Sequence, residues 1–393
     1  MCNTSWRVWA VVLSAALTML SNTAVAAEPV FTCRFGGDAV ADMHFAQDGS
    51  KIALVTLETK NRDHYRAQFK CRIYQVPSGR MEHEIASGAW ACAWSHDGSV
   101  LAVPRRSAVD IDLFDSRNWK IRQTLCTTYT QNSRIVSEVA RLCFDRNDNL
   151  YLAAFNDWHE EEGGMLTANE YSPRLWWRVG NPWSPKPLPV GSCFQSWEAP
   201  HPHPIMAYDL AVSAAAQETR VAIAYWDCES QILTVRKRSG EAPHVDRAFN
   251  FRSGRWVKLT PDGKQLVTFQ GERVSAYDPA KGEEPKERIP AQLSVFRVLD
   301  DRVELVRSRA VERPPYGVDL VVPQFLDVSN NGQLAASCGK RAAEVVRIPS
   351  CDPILRIPHN EMAVTGITFS PDSRLLALAN RERKEVLFYQ IPK

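Results

Sequence analysis

Two histidines and two tryptophans in one proline-rich stretch are the side chains best suited to hold a ligand. His201 and His203 are the only close histidine pair, and imidazoles two residues apart in an extended segment can point the same way. Trp158 and Trp197 lie in the same stretch, and a large rigid aromatic face loses little entropy when it contacts a glycan or a protein. We therefore predict a partner-binding surface that includes Trp158, Trp197, His201 and His203.

The histidines and the tryptophans of this surface each have a simpler alternative role. A metal site usually takes three or four protein ligands at a defined geometry, and the His201-Pro-His203 spacing matches no standard pattern, even with His159 and the acids at 160–162 added. A solvated polar loop is therefore favoured for the histidines, and we expect no bound metal. Packing of this stretch against the rest of the fold is the favoured role for its tryptophans, and Trp158 and Trp197 are the ones expected to be exposed.

Familiar catalytic motifs are missing from the chain. There is no Gly-x-Ser-x-Gly nucleophile elbow, no glycine-rich phosphate loop, no His-Glu-x-x-His zinc helix and no Cys-x-x-Cys pair. We assign no catalytic residue and expect no cofactor. A site gathered from distant parts of the chain leaves no motif, so a hydrolase, lyase or metal-dependent enzyme stays the alternative to a binding protein.

A repeated hairpin must position these side chains. Residues 40–54 align without gaps on residues 364–378, with apolar residues on apolar residues and an Asp-containing turn in the middle. Further copies occupy 89–103 and 256–267. The turn centres fall near Asp48, Asp97, Asp148, Gln217, Asp262, Asn331 and Asp372. Because Pro presets φ, Asp caps the turn and Gly accepts a positive φ, each unit reads as a β-hairpin.

Third strands follow the hairpins at 71–76, 110–115, 174–179, 273–278 and 386–391. Phe114-Asp115 and Tyr277-Asp278 stand where a Trp-Asp pair is expected, and Ser370-Pro-Asp372 and Thr260-Pro-Asp-Gly263 resemble a Ser-Pro-Asp-Gly turn. In these features the chain resembles the WD40-like and YVTN-type β-propeller repeat families over nearly its whole length. That resemblance implies an all-β propeller and says little about function.

The number of blades depends on one stretch. The hairpin spacing favours seven blades, with a hairpin-like stretch at 293–306 treated as an insertion, whereas counting that stretch as a blade makes eight. The strand at 30–35 resembles the fourth strand at 354–358. A closed ring must satisfy its edge strands, so we expect this N-terminal strand to complete the last blade.

Three insertions are expected on the rim formed by the links between blades, at about 58–70, 155–206 and 308–323. Cys193 and Cys228 are both expected on this rim, and we predict a disulfide between them. Cys92 and Cys143 lie on first strands and are expected to be buried thiols. Cys338 and Cys351 lie at opposite ends of a hairpin and should not bond.

The N-terminus reads as an export signal. Arg7 precedes an apolar stretch of about 13 residues and an Ala24-Val25-Ala26 site, so we predict a signal peptide at 1–26 and a secreted or periplasmic propeller at 27–393. A retained anchor is the alternative. The formal charge of +2 lacks the basic excess that nucleic-acid binding needs. We expect a monomer with no membrane span after cleavage, which binds a protein or glycan and not nucleic acid.

Overall fold

The computed structural model describes the chain in eighteen ranges. They are 27–58, 68–88, 90–105, 110–126, 139–154, 159–160, 166–167, 175–177, 186–188, 207–214, 218–225, 230–236, 244–251, 254–271, 273–274, 288–314, 324–360 and 363–392. The regular elements in these ranges are β-strands, which confirms the all-β prediction. These ranges contain no helix long and apolar enough to cross a membrane.

Six four-stranded antiparallel sheets have described side chains in all four strands. They are β2 (Ala39–Phe45), β3 (Lys51–Glu58), β4 (Gln68–Gln75) and β5 (Met81–Ser87); β6 (Ala93–Trp94), β7 (Val100–Pro104), β8 (Asp110–Asp115) and β9 (Ile121–Cys126); β16 (Ala207–Ala214), β17 (Glu218–Tyr225), β18 (Ser230–Arg236) and β19 (His244–Phe251); β20 (Trp256–Leu259), β21 (Gln265–Gln270), β24 (Gln292–Val298) and β25 (Val303–Ala310); β26 (Leu326–Val328), β27 (Leu334–Cys338), β28 (Ala342–Arg347) and β29 (Pro353–Pro358); and β30 (Val364–Phe369), β31 (Leu375–Asn380) and β32 (Glu385–Gln390) with β1 (Phe31–Arg34).

The remaining strands lie between or beside these sheets. β10 (Val139–Phe144) and β11 (Leu150–Ala154) form a hairpin that continues into β14 (Leu175–Trp177) and β15 (Lys186–Leu188). Two small pairs complete the set: β12 (His159–Glu160) with β13 (Leu166–Thr167), and β22 (Arg273–Val274) with β23 (Arg288–Ile289).

The first strands of successive sheets form a closed ring. β2 contacts β6, and the contacts continue through β10, β16, β20, β26 and β30, which packs back on β2. The sheets radiate from this ring, so the fold is a β-propeller. Middle strands such as β3 and β28 bury both faces, because each sheet is sandwiched between two neighbours. Outer strands such as β29 alternate between buried and exposed residues.

The N-terminal strand closes the ring, as predicted. β1 pairs with β32 in antiparallel register, from Phe31 opposite Phe388 to Arg34 opposite Glu385. The Phe31 and Phe388 rings stack at a centroid distance of 4.2 Å. The edge of the last sheet is thereby covered by the start of the chain.

One third strand was assigned wrongly from the sequence. Residues 273–274 pair only with β23, and the strand beside β21 is β24, with Leu293 opposite Phe269. The hairpin at 293–306 is therefore the outer half of this sheet, neither an insertion nor a separate blade. β25 runs to Ala310 and so includes the first residues of the predicted insertion at 308–323. Two apolar strands compete for one position here, and the strand that buries Leu293 and Val295 beside β21 occupies it.

The hairpin turns have the expected chemistry. In the turn before β31, Asp372 Oδ1 accepts hydrogen bonds from Ser370 Oγ at 2.6 Å and from Arg374 N at 3.1 Å. Ser370 Oγ also accepts from Leu375 N at 2.9 Å. The turns centred on Asp97 and Asp262 repeat this pattern, and Asn331 replaces the carboxylate by an amide in the same geometry. Local side-chain capping therefore closes these hairpins.

The aspartates in the hairpin turns are expected to make the free energy of unfolding sensitive to acid. Burial opposes their ionisation, but the hydroxyl and backbone hydrogen bonds outweigh it and lower the pKa of Asp97, Asp262 and Asp372. A lowered folded-state pKa gives stability that is complete above the ordinary aspartate pKa of about 3.9 and is lost as pH falls through the lowered value. Solvent screening keeps each contribution below about 1 kcal/mol.

We expect the triple variant Asp97→Asn, Asp262→Asn, Asp372→Asn to lose less stability than the wild type between pH 5 and pH 3. Asn331 already shows that an amide preserves the turn. Urea unfolding at the two pH values measures the difference. Equal losses in both proteins would show that these turns do not contribute.

Candidate functional site

Three charged side chains reach the axis because a β-bulge turns them inward. The register of the first strand shifts immediately before Asp42 in β2, before Arg141 in β10 and before Asp209 in β16. A bulge bends its strand and redirects the following side chain. These three residues therefore occupy corresponding positions in their sheets.

Three aspartates on first strands each bridge two sheets. Each carboxylate accepts the N–H of the next residue and an N–H on the following first strand or just before it. The second donors are Cys92 for Asp42 at 3.1 Å, Val257 for Asp209 at 3.1 Å and Phe369 for Asp327 at 2.8 Å. Hydrogen bonds to a carboxylate are stronger than neutral ones, so these contacts hold neighbouring sheets at a fixed spacing.

Two cations lie on either side of Asp209. Lys258 Nζ, on β20, is 2.8 and 3.0 Å from the two carboxylate oxygens, and the Lys258 side chain is 14% exposed. Arg141 Nε is 3.9 Å from Asp209 Oδ1, and its side chain is buried. The charges on β10, β16 and β20 thus alternate in sign around the axis.

A histidine stands beside the first aspartate. His44 Nε2 is 3.0 Å from Asp42 Oδ1, and about a third of the His44 side chain is exposed. Burial works against the charged form of Asp42, but His44, Arg141 and the Cys92 N–H together lower the pKa of Asp42. The pair therefore consists of an ionised, fixed carboxylate and an accessible imidazole.

These side chains line a cavity of about 520 Å³ around the axis, on the side of the hairpin turns. Its wall includes Asp42, His44, Arg141, Asp209, Lys258, Gln324, Asp327 and Thr368, with Trp94, Cys143 and Val212 between them. His96 and Arg146 stand at its turn end. A volume of this size suits a small ligand.

Burial raises the pKa of two further groups in the wall. Burial raises the pKa of Asp327, and the nearby Lys258 ammonium offsets only part of that shift. Burial also raises the pKa of the Cys143 thiol to about 12. Because the thiolate is the nucleophilic form, Cys143 is not activated for covalent chemistry at neutral pH.

The predicted partner surface lies outside the described residues. This applies to Trp158, Trp197, His201 and His203, and also to both members of the candidate disulfide, Cys193 and Cys228. They remain predictions. The described ranges contain no group of three or more potential metal-ligating side chains.

The cysteine predictions that fall on described residues are confirmed in part. Cys338 and Cys351 are free thiols, as expected from the hairpin between them. Cys92 is fully buried, whereas Cys143 is only half-buried because it faces the axial cavity.

The axial residues were not singled out from the sequence. A signal was present: Asp42, Asp209, Lys258 and Asp327 are charged residues within otherwise apolar first strands. Such strands surround the axis of a propeller, so a charge there must be paired or face the central cavity.

Comparison with known proteins supports the fold only. No protein-family model and no curated protein matches the sequence. The β-propeller domain of Cps50 (Swd1) from Myceliophteria thermophila superposes with a TM-score of 0.59 at 12% identity, covering 93% of this chain and 100% of that one. Hydrazine synthase of Kuenenia stuttgartiensis superposes with a TM-score of 0.61 at 10% identity, covering 91% and 97%. The resemblance to propeller repeat proteins therefore holds for the architecture.

Proposed function

We propose that the protein is an exported, non-enzymatic binding propeller that holds a small polar ligand in its axial cavity and contacts a protein or glycan through the rim near 155–206. The observation that carries the proposal is the convergence of charged side chains from five first strands on one cavity of about 520 Å³. Pockets with a few converging polar groups are the usual place for ligands. Export and the rim contact rest on the sequence.

Seven blades are part of this proposal. Beyond the six sheets, the β10–β11 hairpin supports a seventh position, because β10 contacts β6 on one side and β16 on the other. An eighth blade loses its sequence support, since the hairpin at 293–306 belongs to the sheet of β20 and β21.

The contacts of the axial acids favour binding over catalysis. Asp42 and Asp209 are almost completely buried and accept several hydrogen bonds each, so their charges are already paired with groups in the cavity wall. A general base needs an accessible lone pair near the proton that it removes.

His44 is the observation that favours the second candidate, an enzyme with its site at the axis. An exposed imidazole oriented by a buried carboxylate is the arrangement used in general acid–base catalysis. If the ligand is converted rather than held, His44→Gln should abolish turnover and leave the ligand bound.

A screen of polar small molecules by thermal unfolding tests the binding proposal. A ligand at a hundred times its Kd stabilises a protein by about 2.7 kcal/mol. We expect one or more compounds to stabilise the wild type and to lose this effect in Val212→Trp, which fills the cavity from β16. The matched control is Val306→Trp on the exposed strand β25, which should keep the effect.

Two results would contradict the proposal. One is a library in which no compound stabilises the wild type. The other is stabilisation that persists in Val212→Trp. Cell fractionation, with mass spectrometry of the N-terminus, tests export separately, since the mature chain is expected to begin at Ala27.

A further inference from the structure

Charges of opposite sign lie on neighbouring strands of the axial cavity. β20 carries Lys258, and β26, which contacts β20, carries Asp327. Both residues line the same cavity on strands that contact each other, and the Lys258 ammonium offsets part of the rise that burial causes in the pKa of Asp327. Both are accessible from the cavity, whereas Asp209 behind them is buried.

Each of the two groups keeps hydrogen-bonding capacity. An ammonium has three donors, and the described bonds of Lys258 use two of them on Asp209. A carboxylate offers about four acceptor positions, and the described bonds of Asp327 fill three, from the N–H groups of Val328 and Phe369 and from Thr368 Oγ1. One donor and one acceptor therefore remain on neighbouring strands that line the same cavity.

A ligand with a single charge does not suit this pair. A free anion beside Lys258 also meets the carboxylates of Asp209 and Asp327, and a free cation beside Asp327 also meets Lys258. Like charges brought together in a partly dehydrated site repel. A molecule that carries both charges on adjacent atoms meets an opposite charge at each end.

We propose that the axial cavity binds a small zwitterion of the α-amino acid class, with its carboxylate on Lys258 and its ammonium on Asp327. This inference rests on the proposed function of the cavity as a ligand site. The carboxylate and ammonium of an α-amino acid are attached to one carbon, so a single small molecule presents both charges to neighbouring strands of the cavity. The remaining volume, bounded by Val212, Phe144 and Trp94, accommodates a side chain.

Calorimetric titration with the twenty standard α-amino acids tests the proposal, with sodium acetate and methylammonium chloride as single-charge probes. At least one amino acid is expected to bind at least tenfold more tightly than either probe. Lys258→Met and Asp327→Asn are each expected to weaken that binding at least tenfold. Lys264→Met and Asp301→Asn, which change exposed residues outside the cavity, should leave it unchanged.

Loss of Lys258 leaves the buried Asp209 without its nearer cation, so the double variant Asp209→Asn, Lys258→Met is the companion test. The double variant removes one positive and one negative charge, and circular dichroism verifies its fold. It must also lose binding of the amino acid. The zwitterion proposal is overturned if acetate or methylammonium binds as tightly as every amino acid, if no amino acid binds at millimolar concentration, or if binding survives in both single variants.

These outcomes separate the two proposals. Suppose that a library compound stabilises the wild type but not Val212→Trp, and that it is not a zwitterion. The axial cavity is then still a ligand site, and only the assignment of its ligand as an amino acid is wrong. A library without any stabilising compound removes both.

Discussion

Asp209→Ala is expected to lower the free energy of unfolding by about 3–5 kcal/mol. The carboxylate accepts hydrogen bonds from Leu210 N and Val257 N and pairs with Lys258 Nζ, with Arg141 nearby. Its removal leaves two buried or half-buried cations without this partner. Breaking a buried ion pair on one side costs more than the pair contributes, because the remaining charge is not rehydrated.

Urea unfolding at neutral pH measures this loss. Asp209→Asn keeps an acceptor for the backbone N–H groups but removes the charge, so we expect an intermediate loss. Asp301→Ala, an exposed aspartate in the β24–β25 turn, is the control and should change stability by no more than about 0.5 kcal/mol. A loss below about 1 kcal/mol in Asp209→Ala would show that the axial charges do not hold the sheets together.

Cys33→Pro is expected to open the ring at its closing strand, at a cost of about 2–4 kcal/mol. Cys33 is buried and lies opposite Val386 in β32. Phe35 N donates to Lys384 O at 2.9 Å, so the alternation of a β-strand also directs the Cys33 N–H toward β32. Proline removes that donor and places its ring in the ladder.

Thr32→Pro is the matched control for the closing strand. Thr32 is exposed, and its N–H points away from β32, a position where an edge strand accepts proline. We expect a loss under about 1 kcal/mol. Equal unfolding midpoints for the two proline variants, measured in urea, would show that β1 does not stabilise the closed ring.

The propeller itself follows from local patterns in the sequence. Apolar alternation on either side of Asp-containing turns specifies hairpins, because turn chemistry and strand periodicity act over a few residues. The same patterns identified the strand that pairs with β32, since residues 30–35 resemble a fourth strand without a sheet of its own. Where two candidate strands competed for one place beside β21, local pattern could not choose, and packing selected residues 292–298.

The axial site shows what only tertiary structure decides. Asp42, Arg141 and Asp209 lie further from their turns than Lys258 and Asp327 do, and two of the aspartates depend on bulges to face inward. In sequence each is one charged residue in an apolar strand. Closing the ring brings them to one cavity, where Asp209 lies within 4 Å of both Arg141 and Lys258, because every first strand then faces the same axis. The sequence by itself determined the hairpins and their order, through short-range hydrogen bonding and side-chain periodicity. The convergence of charges on one cavity came from contacts between residues up to about three hundred positions apart, which no local pattern encodes.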